Sequence, residues 1–265
     1  MKIGSLFSGI GGLELGLERA TGGRTIWQVE QNEDARAVLA KHWPEARRYE
    51  DVRQVGSHNL EPVDIVCGGF PCQDISVAGK GAGLEGAQSG LWSEYARIVR
   101  ELGPRFVVVE NVAALTHRGM GRVLGDLAQG GYDAIWDCIP AAAVGAHHRR
   151  DRLFIVAYTN NQARTSMRGE RAVAAGEDKS WRDNVRGGAD DAWRCRSIQG
   201  ARGNQSRFKQ NLRTCEAWSN QSGVDRVVDG VPNRVDRLRG LGNAVVPQVA
   251  EVIGRVIVEL EGQKG

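Results

Sequence analysis

The sequence lacks the features that mark several large protein classes. It has five cysteines in 265 residues, an odd number, and no two of them form a CxxC pair. With no export signal either, a disulfide framework is not expected. The histidines do not fall at ligand spacing around Cys67, Cys72, Cys138, Cys195 and Cys215, so no metal site is expected. No apolar run approaches the roughly 20 residues that a membrane span needs. The N-terminus carries one lysine and then a short glycine-rich segment, without the apolar core and cleavage site of a signal peptide. What remains, at 41% hydrophobic and 25% charged, is neither collagen-like nor wholly disordered. The expectation is a soluble cytoplasmic monomer with no membrane contact, long enough for one large core plus a small appendage.

The formal net charge is only +3, but it is unevenly spread. Residues 160–218 hold 12 Lys+Arg and 7 Asp+Glu, whereas the rest of the chain is slightly acidic. Those 59 residues contain only four Val, Ile or Leu: Val173, Val185, Ile198 and Leu212. Such a stretch cannot build much core of its own. Its basic character suits an anionic partner, nucleic acid first, and equally a solvated insertion.

The first 157 residues alternate apolar runs with amphipathic stretches. The pattern predicts strands at Lys2–Phe7, Thr25–Val29, Val63–Val66, Phe106–Val109, Ala134–Ala141 and Leu153–Ala157. Between them it predicts helices at Leu13–Ala20, Asp34–His42, Leu91–Leu102 and Gly121–Gln129. After Tyr158 the apolar period fades, and it returns as a helical stripe at Val245–Leu260, with Pro247 suited to the first turn. Strands alternating with helices predict a doubly wound α/β sheet, interrupted late and closed by a C-terminal helix.

Three loops follow predicted strands, where open α/β sheets bind ligands. The first is Phe7-Ser8-Gly9-Ile10-Gly11-Gly12, whose glycines let backbone approach a ligand at a helix N-terminus. Glu30 ends the next strand, placed to hold both hydroxyls of a ribose. The glycine spacing is not the full GxGxxG form and no Walker lysine follows, which favours a nucleoside such as S-adenosylmethionine over a dinucleotide or triphosphate. Asp51 suits an adenine amine, or is simply a solvated turn residue. The second loop is Gly68-Gly69-Phe70-Pro71-Cys72-Gln73, where Cys72 is a candidate nucleophile and the other cysteines read as small apolar side chains. The third is Glu110-Asn111-Val112, a carboxylate placed for acid or hydrogen-bonding work. Arg149-Arg150-Asp151-Arg152 precedes another buried strand and reads as an ion-paired cluster in the cleft or a basic surface patch.

Taken in order, Phe7–Gly12, Glu30, Asp51, Gly69–Gln73, Glu110–Val112, Arg150–Arg152 and Gly242-Asn243-Ala244-Val245 resemble the cytosine-5 DNA methyltransferase family, in a compact phage- or prophage-like form. The Pro-Cys-Gln loop followed by Glu-Asn-Val 38 positions later is the most specific part. The resemblance implies a Rossmann-like methyltransferase sheet, with catalytic and cofactor-binding parts at 1–158 and 236–265 and a small irregular target-recognition region at 159–235. It implies catalytic roles for Cys72, Glu110, Arg150 and Arg152. Cysteine attack on carbon 6 and a glutamate at nitrogen 3 would make carbon 5 of cytosine nucleophilic. The implied S-adenosylmethionine site is Phe7, Ser8, Gly9, Gly11, Glu30, Gln31, Asp51, Val52, Pro71, Leu91, Asn243 and Val245. The base is hidden in a duplex and must be flipped out, with the Gly79–Gly90 loop closing over it. Ser76, Arg164, Arg168, Arg194, Arg196 and Arg207 are the expected contacts to double-stranded DNA.

Three positions depart from the family pattern: His147 and His148 stand where proline and glutamine are usual, and Ser5 where many members carry aspartate. Two other readings compete. A tRNA cytosine-5 methyltransferase usually carries Pro-Pro-Cys, whereas Phe70 precedes Pro71 here. A catalytically silent DNA-binding relative would not be expected to keep Cys72, Glu110 and Arg152.

Overall fold

The computed structural model describes residues 1–71, 91–159 and 240–262. Its centre is a seven-stranded sheet built from β1 (Lys2–Leu6), β2 (Arg24–Val29), β3 (Arg47–Tyr49), β4 (Ile65–Gly69), β5 (Phe106–Val112), β6 (Tyr132–Pro140) and β7 (Asp151–Thr159). The strand order is β3-β2-β1-β4-β5-β7-β6. The first five pair in parallel. β7 runs antiparallel between β5 and β6. The chain winds outward from β1 to β3 and then returns to β4 on the other side of β1. That reversal opens a crevice at the carboxyl ends of β1 and β4.

Both faces of the sheet are covered, which explains the unbroken apolar run of β5. Phe106 and Val108 point into one core with Ile3, Ile65 and Phe154. Val107 and Val109 point into the other with Leu6, Val66 and Ile155. The first core is closed by α1 (Gly12–Thr21) and the C-terminal helix, α6 (Pro247–Gly262). The second is closed by α3 (Leu91–Leu102), α4 (Leu115–Arg118) and α5 (Met120–Gln129). The remaining described α-helix, α2 (Glu33–His42), is capped by Asn32, whose side chain accepts from the Ala35 amide at 2.8 Å.

The α1–α6 contact needs small residues. A Cβ on Gly16 would lie 2.2 Å from the Pro247 carbonyl oxygen and 2.4 Å from Ala250 Cβ. The segment Gly240–Gly262 is apolar enough by length and composition to cross a membrane. In this fold Val252, Ile253, Val256 and Ile257 are fully buried in the first core, so α6 is a core helix.

Several sequence expectations need adjustment. β4 runs through Gly68 and Gly69 rather than ending before them, because both pair with β5, at Val109 and Glu110. β5 likewise continues through Glu110-Asn111-Val112. The edge strand β3 was not foreseen: three residues, Arg47-Arg48-Tyr49, carry no apolar alternation. The antiparallel direction of β7 was not foreseen either, since side-chain periodicity is the same in both directions. The proposed domain division falls largely on residues 160–239, which lie outside the described residues.

Candidate active site

The crevice at the switch point is a cleft of about 990 Å³. That is the upper end of the roughly 300–1,000 Å³ typical of small-molecule sites. Its lining joins the carboxyl ends of β1, β2, β4 and β5 to the N-terminus of α1 and to residues 240–245.

At one end is the glycine turn. Phe7 has a positive φ of 53° and Gly9 one of 56°, so the chain leaves β1 through a tight, left-handed path. The Glu30 carboxylate locks this turn to β2. It accepts from the Gly9 amide at 2.7 Å through one oxygen and from the Asn32 amide at 2.8 Å through the other. Each carboxylate oxygen has a second acceptor position, so Glu30 retains the capacity to receive a pair of hydroxyls. Gln31 and Val52 also line this end. Asp51 faces it too, but its carboxylate holds Arg53, with 2.8 Å between Asp51 Oδ2 and the guanidinium. The hydrogen bonds from Arg53 draw its pKa below the usual carboxylate value. An open cleft ending in two carboxylates and flanked by Phe7 suits a nucleoside bearing hydroxyls and an amino group.

Aromatic residues of α3 support the wall. Trp92 sits between Tyr95 and Phe70, with ring centroids 5.4 and 5.3 Å away, and Tyr95 in turn stacks on Phe7 at 6.4 Å. The Trp92 indole donates to Asp126 at 2.7 Å and the Tyr95 hydroxyl to the Val108 carbonyl at 3.0 Å. One helix thereby fixes both loops that enter the cleft. Asn111 adds a second tie: its side-chain amide donates to the Phe70 carbonyl at 3.1 Å, holding the approach to Pro71. Of these residues only Phe7 carries a role in the sequence reading; Trp92, Tyr95 and Asn111 carry none, although the spacing of Trp92 and Tyr95 on one predicted helix is visible.

At the other end stands Glu110. It pairs across the sheet with Phe154, while Arg152 pairs with Val112 two residues on, so Glu110 and Arg152 are diagonal neighbours on one face. Glu110 Oε1 lies 3.1 Å from Arg152 Nε. The Glu110 side chain is only 13% exposed. Burial pushes its carboxyl up to about 7 against the opposing pull of Arg152 and Arg150. Gly69 faces it on β4, where a Cβ would lie 2.4 Å from Glu110 Oε2. The glycine therefore leaves room for the carboxyl beside the Pro71 turn.

Most of the sequence-derived set converges on this cleft: Phe7, Ser8, Gly9, Glu30, Gln31, Asp51, Val52, Pro71, Leu91, Glu110, Arg152, Asn243 and Val245 all line it. Two residues do not. Gly11 is the N-cap of α1 at φ 88°, and the space beside it is filled by the Trp43 ring, so its glycine serves packing and the turn. Arg150 is not part of the cleft lining and donates to the carbonyls of Gly242 and Ala244, the latter at 2.6 Å. It holds the segment carrying Asn243. Cys72, Ser76, Arg164, Arg168, Arg194, Arg196 and Arg207, with the Gly79–Gly90 loop, lie outside the described residues. Cys72 directly follows the cleft residue Pro71 in sequence.

This chain is similar to a coherent set of proteins. The profile of the family described as C-5 cytosine-specific DNA methylase matches residues 1–222. The type II methyltransferase M.NgoBI of Neisseria gonorrhoeae is 34% identical over 160 residues, covering 59% of this chain and 50% of that protein. M.HhaI of Haemophilus parahaemolyticus is 31% identical over 160 residues, covering 59% and 48%. The chain thus spans about half the length of these relatives. A crystal structure of an E. coli prophage-encoded protein, described as a DNA modification methyltransferase, superimposes with a TM-score of 0.51 at 27% identity, covering 63% of this chain and 48% of the other.

Proposed function

This chain belongs to the C-5 cytosine-specific DNA methylase family, and on that premise we propose that it transfers a methyl group from S-adenosylmethionine to carbon 5 of a cytosine in duplex DNA. The observation that carries this reading is the Glu110–Arg152 pair in the cleft wall next to Pro71, with a carboxyl whose pKa is raised to about 7. Such a group is partly protonated at neutral pH. It can donate to ring nitrogen 3 of cytosine and accept from the exocyclic amine, which is the hydrogen-bond pattern that withdraws electrons from the ring. Arg152 steadies the carboxyl and is positioned for the base carbonyl.

The family uses S-adenosylmethionine, which when bound supplies an electrophilic methyl group. Glu30 would hold its ribose, Phe7 and Asp51 its adenine, and Pro71, Leu91, Asn243 and Val245 its methionine side. We assign the nucleophile to Cys72, from the family resemblance and its place after Pro71. Its thiolate sulfur bonds to carbon 6, the ring electrons shift toward carbon 5, and the charge at nitrogen 3 is offset by the Glu110 proton. After carbon 5 is alkylated, loss of its proton restores the ring and expels the thiolate. Arg150 acts as a positioning residue for residues 242–244.

In this reading residues 159–235 recognise the target sequence, with Ser76 and the arginines of that region on DNA, and the protein works as a monomer in the cytoplasm at the nucleoid. The test is covalent trapping on a duplex containing 5-fluorocytosine in the presence of S-adenosylmethionine. A stable adduct that disappears in Cys72→Ser is expected. No adduct on DNA, or an adduct formed on tRNA alone, overturns the proposal.

A further inference from the structure

One buried group of the cleft has no place in the mechanism above. Ser5 pairs with Gln28 of β2 on one side and Cys67 of β4 on the other, so the three form a row across the sheet. Glu14, in the first turn of α1, covers that row, and all four residues are fully buried. Among the described residues no cation faces Glu14, and its polar neighbours Ser5, Ser8 and Gln28 leave both carboxyl oxygens, and the Gln28 side-chain amide, without a well-formed hydrogen bond. The Ser8 hydroxyl is turned to Ser5 Oγ at 2.9 Å instead. The other acidic groups at work in the cleft are matched: Glu30 by backbone amides, Asp51 by Arg53, Glu110 by Arg152. A buried carboxyl with no cation beside it is costly to keep.

Its position suggests what completes it. Ser5, Ser8 and Glu14 line the cleft at β1, between Glu30 at the end of β2 and Glu110 on β5. A methyl donor lying with its ribose at Glu30 and its methyl toward Glu110 must pass its cationic centres across β1. We propose that Glu14 is the counter-charge for the cationic methionine end of the methyl donor, and so a cofactor-binding residue additional to the glycine turn. This rests on the functional reading above. Helix α1 then contributes a carboxyl beside Ser5, a strand position that has none of its own.

The electrostatics give the proposal a signature. Burial raises the Glu14 carboxyl to about 7, more than Ser5, Ser8, Gln28 and its own backbone amide draw it down. The other ionisable groups facing the row are Cys67 on β4, whose thiol is itself pushed up by burial and by Glu14, and Glu18 further along α1. None of these supplies a positive charge. A bound cation lowers the Glu14 pKa, so cofactor binding near neutral pH releases a proton, and affinity rises with pH until Glu14 is ionised.

The experiment is isothermal titration calorimetry of the full chain with S-adenosylmethionine and with S-adenosylhomocysteine, which keeps the ammonium but has no sulfonium charge. Titrations run in two buffers of different ionisation enthalpy, between about pH 6 and about pH 7.5, below the ~7.7 of an α-amino group. The wild type is expected to release about half a proton on binding near pH 7. Glu14→Gln is expected to release none and to bind about tenfold more weakly, one unit of pKa coupling being tenfold in affinity. Equal weakening for both ligands assigns Glu14 to the ammonium, and weakening for S-adenosylmethionine alone assigns it to the sulfonium. Because the proton count is read on the wild type, it holds even where the variant folds poorly. Binding without proton release, or release that persists in Glu14→Gln, overturns the proposal and leaves the functional reading standing. A wild type that binds neither ligand, with or without DNA, overturns both.

Discussion

Glu14 and Glu110 occupy opposite ends of the same problem. Both are buried carboxyls of one cleft, and both are pushed to about 7 by burial. Glu110 sits on the antiparallel side of the sheet, where β7 brings Arg152 to 3.1 Å, and it faces open space left by Gly69. Glu14 sits on the parallel side, under α1, with uncharged Ser5, Gln28 and Cys67 below it. The same displaced pKa therefore has two meanings. At Glu110 an adjacent cation holds the carboxyl in place for a base. At Glu14 no cation is present among the described residues, so the carboxyl is available to one that arrives.

Four substitutions would tell the two carboxyls apart. The largest effect is expected for Glu110→Gln, which keeps the shape and removes the proton. Turnover on duplex DNA should fall about 10²–10⁴-fold, the usual range for general acid–base assistance. S-adenosylmethionine affinity, measured in parallel, should hardly change, whereas the same change at Glu14 should move binding. A Glu110→Gln enzyme that turns over normally removes the chemical role from this end.

Next is the pH dependence of stability in Glu14→Gln. The native pKa of about 7 lies above the ordinary 4.5, so unfolding releases a proton in between, and wild-type stability falls as pH rises through that window. The shift corresponds to about 3 kcal/mol at roughly 1.4 kcal/mol per unit. Denaturant melts of the unliganded protein should show Glu14→Gln gaining on wild type by about this amount at pH values above the native pKa. The gain should vanish in acid. A constant difference across the range means that Glu14 does not titrate there.

Gly69→Ala should displace the Glu110 carboxyl without touching it chemically, because the new Cβ would lie 2.4 Å from Oε2. A misplacement near 1 Å costs on the order of 10²-fold in rate. Turnover should drop while cofactor binding and the proton release attributed to Glu14 persist. Loss of both together would mean that the two ends are not independent.

The smallest effect is expected at Arg150→Lys. One of the two bonds to the Gly242 and Ala244 carbonyls would be lost, worth about 1 kcal/mol or roughly fivefold in cofactor affinity. The rate at saturating cofactor should stay near wild type, since Arg150 is outside the cleft lining and spends its guanidinium on those carbonyls. A fall in saturated rate instead would return Arg150 to the group that touches substrate.

Much of this site is legible in the sequence because it follows strand ends. Apolar runs located β1, β2, β5 and the helices beside them, and in an open α/β sheet the loops after such strands are the ligand side. That is why Phe7, Glu30, Pro71 and Glu110 were found together. Arg150 and Gly11 lie outside the cleft lining for the opposite reason. Their motif positions are right, but the direction of a side chain depends on what packs against it: the carbonyls of residues 242 and 244 for one, Trp43 for the other. Glu14 escaped notice because a glutamate in the first turn of a helix ordinarily favours the helix dipole and faces water. Only the packing of α1 onto the sheet, over the row Ser5, Gln28 and Cys67, turns it inward.

The sequence by itself determined the order of the strands and helices apart from β3 and α4, the glycine turn with Glu30 after it, the Pro-Cys and Glu-Asn-Val blocks, and with them the family. These are local: periods of 2 and 3.6 residues and fixed spacings are written along the chain. The tertiary structure decided the antiparallel insertion of β7 between β5 and β6, the diagonal meeting of Arg152 with Glu110, the grip of Arg150 on residues 242–244, and the burial of Glu14. Each of these joins segments far apart in the chain or buries one beneath another. Strand direction, register and burial of that kind are set by packing on both faces of the sheet, which side-chain periodicity does not encode.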